Sequence, residues 1–464
     1  MGKVRFFLAI LVGKTVLFLT RTLGRGEGTA APGLLANKLY PPLVPQITTQ
    51  LKQGSIVITG TNGKTTTSRI LSSILSQAGN QPIHNRAGSN LMRGIASTFI
   101  EQCNLKGKVE ADLGIWEIDE ATLPYAVKDL RPKVVVITNL FRDQLDRYGE
   151  IDKVAQIWQE ALVGLPKKTT VILCGDDPTV ASFGQKLKNE VLYFGINDLS
   201  FSLKKIPHAA DSKQCPKCDS FLTFSSCFLS HLGHYVCQEC GFSRPPIGVF
   251  CKQILFKNMK YTQISLKTPT KQLNLKINLS GIYNVYNLLA ATTVAEALKI
   301  SKANIEKGVR EFKPAFGRIE KVSAGKKEIL LLLCKNPTGF NEVLRTIVRK
   351  EDLNMIIAIN DLVADGRDVS WLWDVDFEVL KGKIKNLIVS GIRAEDMALR
   401  LKYTNFQFSI FNFQLEKDWQ KAIKLGLQKT NIGETLYILP TYTAMLEIRK
   451  VLNKMGLIPK SWED

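Results

Sequence analysis

The stretch Ser55-Ile-Val-Ile-Thr-Gly-Thr-Asn-Gly-Lys-Thr-Thr-Thr67 decides the reading of this chain. Ser55 to Thr59 is a short β-branched run behind Gln53-Gly54, which predicts a strand. Beyond it Ile70, Leu71, Ile74 and Leu75 fall at helical spacing. Strand, glycine-bounded loop, Lys-Thr and helix together make a P-loop, two residues shorter than the common form. The glycines let backbone N–H groups close around phosphate oxygens, and the helix N-terminus adds its dipole. Lys64 is placed to neutralise the β- and γ-phosphates and Thr65 to hold Mg²⁺. Gly60, Thr61, Asn62, Gly63, Lys64, Thr65 and Thr66 are the candidate ATP-binding residues. The competing reading, a chance Gly-Lys-Thr in a loop, does not explain the flanking elements.

Composition frames this loop. The chain has 464 residues, enough for about three domains. Its 45% hydrophobic and 22% charged residues fit a globular protein. A formal charge of +20 favours an anionic partner: nucleotide, nucleic acid or an acidic membrane. Nine cysteines are too few for a disulfide scaffold, and four have metal-site spacing, so a reducing cytoplasm is expected.

Further stretches share the theme. Trp116-Glu-Ile-Asp-Glu-Ala121 follows an apolar run. Val134 to Leu140 is a buried strand ending at Asn139, and Asp143-Gln-Leu-Asp-Arg-Tyr-Gly149 comes next. Gly281-Ile-Tyr-Asn-Val-Tyr-Asn287 opens a helix, and Phe316-Gly-Arg-Ile-Glu320 precedes the C-terminal part. With the Gly-Thr-Asn-Gly-Lys-Thr-Thr loop, these resemble the Mur ligase family from about residue 50 to the end. Such enzymes phosphorylate a carboxylate and let an amine attack the acyl phosphate. The resemblance implies Glu117 as a Mg²⁺ carboxylate that serves catalysis together with Lys64, and Asn287 and Arg318 as nucleotide-binding residues. Asp119 and Glu120 remain open as solvated or structural acids. Two positions depart from the family's amino-acid ligases: Gln144 stands where they have His, and ungapped counting places Trp158 where they have a carbamylated Lys. Both changes remove ligands for a second metal.

Cys215-Pro-Lys-Cys218 and Cys237-Gln-Glu-Cys240 enclose 18 residues, the spacing of a zinc ribbon. Four thiolates make a closed tetrahedral site, so the Zn²⁺ is structural and orders an insertion too small to build its own core. His231 and His234 are not needed as ligands, and Cys227 reads as a spare buried thiol. With this ribbon the resemblance narrows to the MurT branch of the family, which amidates the α-carboxylate of D-glutamate in lipid II. His84 to Gly94 resembles that branch's loop after the ATP-binding helix, which implies Arg86, Asn90 and Arg93 as contacts for an anionic substrate; an ordinary polar connection is the alternative.

From about Ile319 strands and helices alternate, which predicts an α/β domain with a mostly parallel sheet. Asn360 to Asp376 packs acids and tryptophans onto a loop after a strand end, where α/β sites lie. A surface loop anchored by Trp371 and Trp373 is the bland reading. This loop resembles the MurT C-terminal domain, as do Lys335 to Gly339, Ser390 to Asp396 and Leu439 to Met445, for which the sequence offers no mechanism.

Releasing ammonia from glutamine needs an activated nucleophile, commonly Cys with His. The four histidines, His84, His208, His231 and His234, form no such pair with Cys103, Cys174, Cys251 or Cys334. The glutaminase is therefore expected on another polypeptide, which the resemblance identifies as a GatD-type subunit. The MurT side then contributes an acid to its triad. Asp368 is the choice, with Asp365, Asp374 and Asp376 open because spacing alone cannot separate them.

Met1 to Arg25 is apolar and basic, too interrupted to span a bilayer, and lacks a small-residue cleavage site. It reads equally as a helix in a membrane interface or one docked on its own protein. The expected plan is a helix and linker over 1–45, a Mur ligase-like α/β ATP-binding domain over 46–315 with the ribbon at about 205–248, and a MurT-type α/β domain over 316–464. The expected location is the cytoplasm, with contact at the inner face of the plasma membrane left open. Two other readings compete: a stand-alone Mur-type amino-acid ligase for a wall precursor or folate, and a zinc-ribbon module on nucleic acid. Against the latter, no RRM, KH or helix-turn-helix signature is present.

Overall fold

The computed structural model describes residues 2–23, 30–85, 89–142, 151–203, 206–207, 210–257, 261–313, 319–404 and 413–459. The chain divides into two units, one holding most residues up to Lys313 and one holding mainly those beyond.

In the first unit the strands β1 (Ser55–Thr59), β2 (Pro82–His84), β3 (Leu113–Glu117), β4 (Val134–Ile137), β5 (Thr170–Cys174), β6 (Val191–Ile196), β9 (Val249–Lys257), β10 (Tyr261–Lys267) and β11 (Gln272–Ile277) form one sheet. Its order is β11-β10-β9-β6-β5-β4-β1-β3-β2. From β2 to β9 neighbours run parallel, and β9, β10 and β11 pair antiparallel. The sequence pattern follows this division. β1, β3 and β4 are buried at every residue, as strands covered on both faces must be. β11 alternates exposed and buried residues because one face meets solvent.

Helices α1 (Gly2–Thr22), α2 (Ala31–Leu39), α3 (Leu43–Thr48), α4 (Lys64–Gln77), α5 (Met92–Gln102) and α6 (Leu123–Leu130) lead the unit, and the long helix Ile282–Ala297 closes against α4 and the sheet. The chain steps from β1 outward to β2, and from β3 back across β1 to β4. The loop after β1 therefore lies at the sheet's switch point, where open α/β sheets bind ligands.

The second unit carries β12 (Ile319–Ala324), β13 (Lys327–Leu332), β14 (Leu353–Ala358), β15 (Ile384–Ser390), β16 (Phe413–Leu415) and β17 (Thr435–Pro440) in the order β12-β13-β17-β14-β15-β16. Only the edge strand β12 is antiparallel to its neighbour. Its core joins Ile329, Leu331, Ile356, Ile388 and Ile438 to Ile423 and Ile448 from the covering helices.

Candidate active site

Two glycines shape the phosphate loop. Gly60 leaves β1 at φ +135°, and a Cβ there would lie 2.1 Å from Thr138 Oγ1. Gly63 sits at φ +89° immediately before α4, where a Cβ would lie 1.9 Å from Asn287 Oδ1. Backbone and neighbours thus both demand glycine. The end of β4 fixes the loop from below. Asn139 accepts from Thr61 N through its backbone oxygen (3.1 Å) and from Asn62 N through Oδ1 (2.9 Å), and donates from Nδ2 to Asn62 O (3.0 Å). Thr61 Oγ1 donates to Phe141 O (3.1 Å) and accepts from Phe141 N (3.0 Å). Asn287 comes from the helix Ile282–Ala297, is buried, and donates to Asn284 Oδ1 (3.2 Å).

Lys64 opens α4 and is buried. Its Nζ donates to Gly60 O (2.5 Å) and Thr61 O (3.3 Å) and pairs with Glu120 Oε1 at 2.9 Å. Burial pulls the lysine's proton affinity down, but Glu120, helped by Glu117 and Asp119, outweighs it and holds the pKa above the ordinary value. The side chain is an ammonium.

One residue on, Thr65 Oγ1 donates to Glu117 Oε1 (2.9 Å). Glu117 ends β3 and is buried, and its Oε2 has no hydrogen-bond partner among the described residues. A buried carboxylate oxygen left unclaimed beside a hydroxyl is the donor set a hard divalent cation takes, so these residues fit Mg²⁺. Asn85 grips Glu117's backbone on both sides, accepting from its N (2.9 Å) and donating to its O (2.8 Å). The segment of substrate candidates reaches the same strand end: Asn90 O accepts from Asp119 N (2.9 Å), and Arg93 is exposed in the first turn of α5. Arg86, Arg318 and Gln144 lie outside the described residues.

The four ribbon cysteines converge. Cys215, Cys218, Cys237 and Cys240 hold their Sγ atoms within 4.8 Å of one another, a thiolate set that fits tetrahedral Zn²⁺. The two Cys-x-x-Cys turns match. Asp219 N donates to Cys215 O (2.9 Å) and Gly241 N to Cys237 O (3.1 Å), and Asp219 and Gly241 both have positive φ. Between the turns, β7 (Leu222–Leu229) and β8 (Leu232–Cys237) pair antiparallel. Asp176, after β5, bolts this hairpin to the sheet. Its carboxylate accepts from Arg244 Nε (2.7 Å), Tyr286 OH (2.7 Å) and Ile196 N (2.8 Å), while its backbone oxygen accepts from Gly233 N (2.8 Å). Buried His231 lies 3.4 Å from Asp177 and packs at a tilt of 51°, ring centroids 4.8 Å apart, on Phe141, the residue bonded to Thr61. Both ribbon histidines therefore serve the mounting, since His234 Nε2 reaches Ile196 O at 2.8 Å. Cys227 is buried.

In the second unit a cavity of about 310 Å³ opens beside the acidic loop, lined by Arg367, Asp368, Trp373, Arg393 and Asp396 among others. The four candidate acids separate. Asp365 is buried, with Oδ1 accepting from Thr443 N (2.8 Å) and Oδ2 from Thr443 Oγ1. Asp368 is exposed and, among the described residues, accepts only from Ser370, two residues on: N at 2.8 Å and Oγ at 2.9 Å. Asp374 and Asp376 are half-buried, and Asp376 lies 3.9 Å from Arg345.

The comparisons with known proteins agree in both halves. The Mur ligase middle domain profile matches residues 58–235, and the MurT ligase C-terminal profile matches 333–445. The chain is 33% identical to the lipid II isoglutaminyl synthase (glutamine-hydrolyzing) subunit MurT of Staphylococcus aureus strain COL, over 97% of this chain and 98% of that one. It is 32% identical to the corresponding MurT subunit of Streptococcus pneumoniae strain R6, over 98% of each. The chain belongs to the MurT family. Among solved structures, a pseudomurein peptide ligase type C from Methanothermus fervidus superposes with a TM-score of 0.68 at 27% identity, covering 87% of this chain and 79% of that one.

Within this MurT-family fold, some residues escaped sequence reasoning. Asp119 and Glu120 are not solvated: both are buried, and Glu120 is the lysine's counter-ion. Trp158 is fully buried and donates from Nε1 to Glu120 O (2.9 Å), so it braces the loop carrying that counter-ion. Trp371 packs near Phe340, and Trp373, though 52% exposed, meets Tyr403 edge-on with ring centroids 5.4 Å apart and lies 5.5 Å from the Arg400 guanidinium. Buried Arg400 fastens the same loop further, donating to Leu372 O (3.2 Å) and Val375 O (2.7 Å). The three C-terminal stretches without a mechanism now have one. Asn336 caps the helix Pro337–Ile347. Asn360 ties the ends of β14, β15 and β17 together through Ile392 N (3.0 Å), Thr441 Oγ1 (2.9 Å) and Thr443 Oγ1 (3.0 Å). Thr443 then holds Asp365.

Proposed function

We propose that this chain is the synthetase subunit of a lipid II isoglutaminyl synthase, converting the α-carboxylate of D-glutamate in lipid II to the amide of D-isoglutamine at the expense of ATP. The observation that carries the reading is Glu117: buried, one oxygen on Thr65 and the other unclaimed, next to Lys64, in a chain that follows MurT subunits along nearly its whole length.

The substrate carboxylate attacks the γ-phosphorus of ATP, ADP leaves, and an acyl phosphate forms. Ammonia then adds to the acyl carbon, phosphate departs, and a proton is lost. Mg²⁺ bound at Thr65 and Glu117 would screen carboxylate from γ-phosphate and stabilise the transferring charge. Gly60 to Thr66 cradle the phosphates, with Lys64 supplying positive charge and Asn287 beside the loop; Arg318, outside the described residues, is the further nucleotide candidate that the family resemblance implies. Asn90 and Arg93, with Arg86 outside the described residues, remain the candidate contacts for the anionic substrate. Zn²⁺ on Cys215, Cys218, Cys237 and Cys240 keeps the ribbon folded.

Ammonia comes from a GatD-type glutaminase partner with its own Cys and His. In support, the four thiols outside the ribbon insertion are poor nucleophiles here. Burial pushes Cys103 up, Cys251 up to about 12, and Cys174 and Cys334 well above the ordinary range. Asp368 orients the partner's His; its exposure at a cavity mouth favours it, whereas Asp365 has both oxygens bonded internally.

The deciding experiment is amidation of lipid II with ATP by this chain alone, ammonium chloride against glutamine. Product with ammonium only, and with glutamine once a GatD-type subunit is added, is expected. Product from glutamine without a partner, or ligation of an amino acid instead, overturns the reading.

A further inference from the structure

Helix α1 has two apolar faces, and among the described residues only one is covered. Ala9, Ile10, Gly13 and Leu17 are buried against α2 and α5, so closely that a Cβ on Gly13 would sit 2.9 Å from Ile100. On the opposite side Val4, Phe7, Leu8, Leu11, Phe18 and Leu19 are each between 43% and 65% exposed. At 100° per residue these six fall within an arc of about 120°, the width of a packing face. Solvent gains nothing from such a stripe, and single exposed leucines are ordinary while an aligned row of six is not.

Charge names the occupant. α1 contains no acidic residue. Lys3, Lys14 and Arg21 fall along one border of the exposed stripe by the same periodicity and Arg5 along the other. Arg21 pairs with Glu101 of α5. An apolar stripe edged by cations is the pattern of a helix lying in the plane of an anionic bilayer surface, with its stripe in the acyl boundary and its cations among headgroup phosphates. Helix α2, packed along α1, adds exposed Leu34, Leu35 and Leu39 with Lys38. No described helix is long and apolar enough to cross a membrane. The net charge of +20 acts in the same sense at longer range.

We infer that the outward face of α1 is a docking surface for an anionic lipid bilayer, which α1 enters without spanning. The inference stands on the helix itself and does not need the assignment of the substrate.

The test is flotation of the full chain with vesicles that contain no lipid II, so that a failure here and a failure of the amidation reading are separate results. Vesicles of phosphatidylglycerol and phosphatidylcholine in equal parts are compared with phosphatidylcholine alone. The chain should float with the anionic vesicles, and the triple variant Phe7→Glu, Leu11→Glu, Phe18→Glu should float at least tenfold less. The pair Lys3→Glu, Arg5→Glu should lose the preference for phosphatidylglycerol. All these side chains are exposed, so an unaltered unfolding midpoint is the check that each variant folds. A wild-type chain that stays unbound, or a triple variant that floats equally well, overturns the inference. So does a vesicle-free dimer in sedimentation velocity that the triple variant turns into monomer, because a second copy would then own the face.

Discussion

The two units each place acids at the C-terminal ends of parallel strands, but they hold them in opposite ways. At the nucleotide loop Glu117 and Glu120 are buried, and each is bound by a residue of the loop itself, Thr65 and Lys64. In the second unit Asp368 is exposed, and among the described residues its bonds reach no farther than Ser370. A buried carboxylate with an open oxygen is complete once a cation and a phosphate arrive. An exposed carboxylate in a local turn has no interior task, and it acts only if another group is brought to it. The first arrangement suits chemistry performed by this chain, the second a contribution to chemistry performed elsewhere.

The largest expected effect separates those two roles. Asp368→Asn should lower glutamine-driven amidation in the presence of the partner by about 10³–10⁴-fold, the scale on which a triad acid matters. Ammonium-driven amidation should be untouched. A parallel loss of both activities, measured in the same preparation, would put Asp368 in the synthetase site and erase the contrast. Next in size, Lys64→Ala should cost about 10²–10³-fold with either nitrogen source, because it removes a charge that meets the transferring phosphoryl group. If only glutamine-driven turnover fell, the lysine would not belong to the ATP site.

Asp365 sharpens the comparison inside a single loop. It lies three residues from Asp368, yet both its oxygens are bonded to Thr443. Asp365→Asn should destabilise the protein by about 1–3 kcal/mol, the cost of disturbing a buried hydrogen-bonded group. The readout is a lowered thermal midpoint, with glutamine- and ammonium-driven rates falling together or not at all. A selective loss of the glutamine reaction with unchanged stability would exchange the roles of the two aspartates.

The same residues explain what could be read beforehand. The phosphate loop is contiguous: its glycines, lysine and threonine act through backbone geometry within a few positions, so spacing alone exposes it. The ribbon is nearly as plain, since metal geometry restricts each ligand pair to a short turn. The counter-ion of Lys64 was not legible, because Glu120 is 56 residues away and only the pairing of β1 with β3 brings it near. Spacing alone does not separate the four aspartates for a related reason. What separates Asp365 from Asp368 is Thr443, 78 residues on from Asp365, delivered by the alignment of β17 with β14. A loop that looks uniformly acidic in one dimension is sorted by its neighbours in three.

Trp158 gives the smallest and most specific test. It stands where resemblance to amino-acid ligases leads one to expect a modified lysine, and its indole instead donates to Glu120 O. The acceptor is main chain, so no side-chain charge is lost in Trp158→Phe, and the ring volume is largely kept. What is lost is one buried hydrogen bond, and the carbonyl left behind lies in the turn that aims Glu120 at Lys64. A net cost of about 1 kcal/mol corresponds to a several-fold change. It should appear as a raised KM for ATP with little change in kcat, because the lysine is mis-set before the nucleotide binds, and not during transfer. The variant should leave the KM for ammonium where it was. If instead kcat fell by orders of magnitude and the KM for ATP held, the indole would be acting on the transferring group, and the counter-ion of Lys64 would not be what it braces.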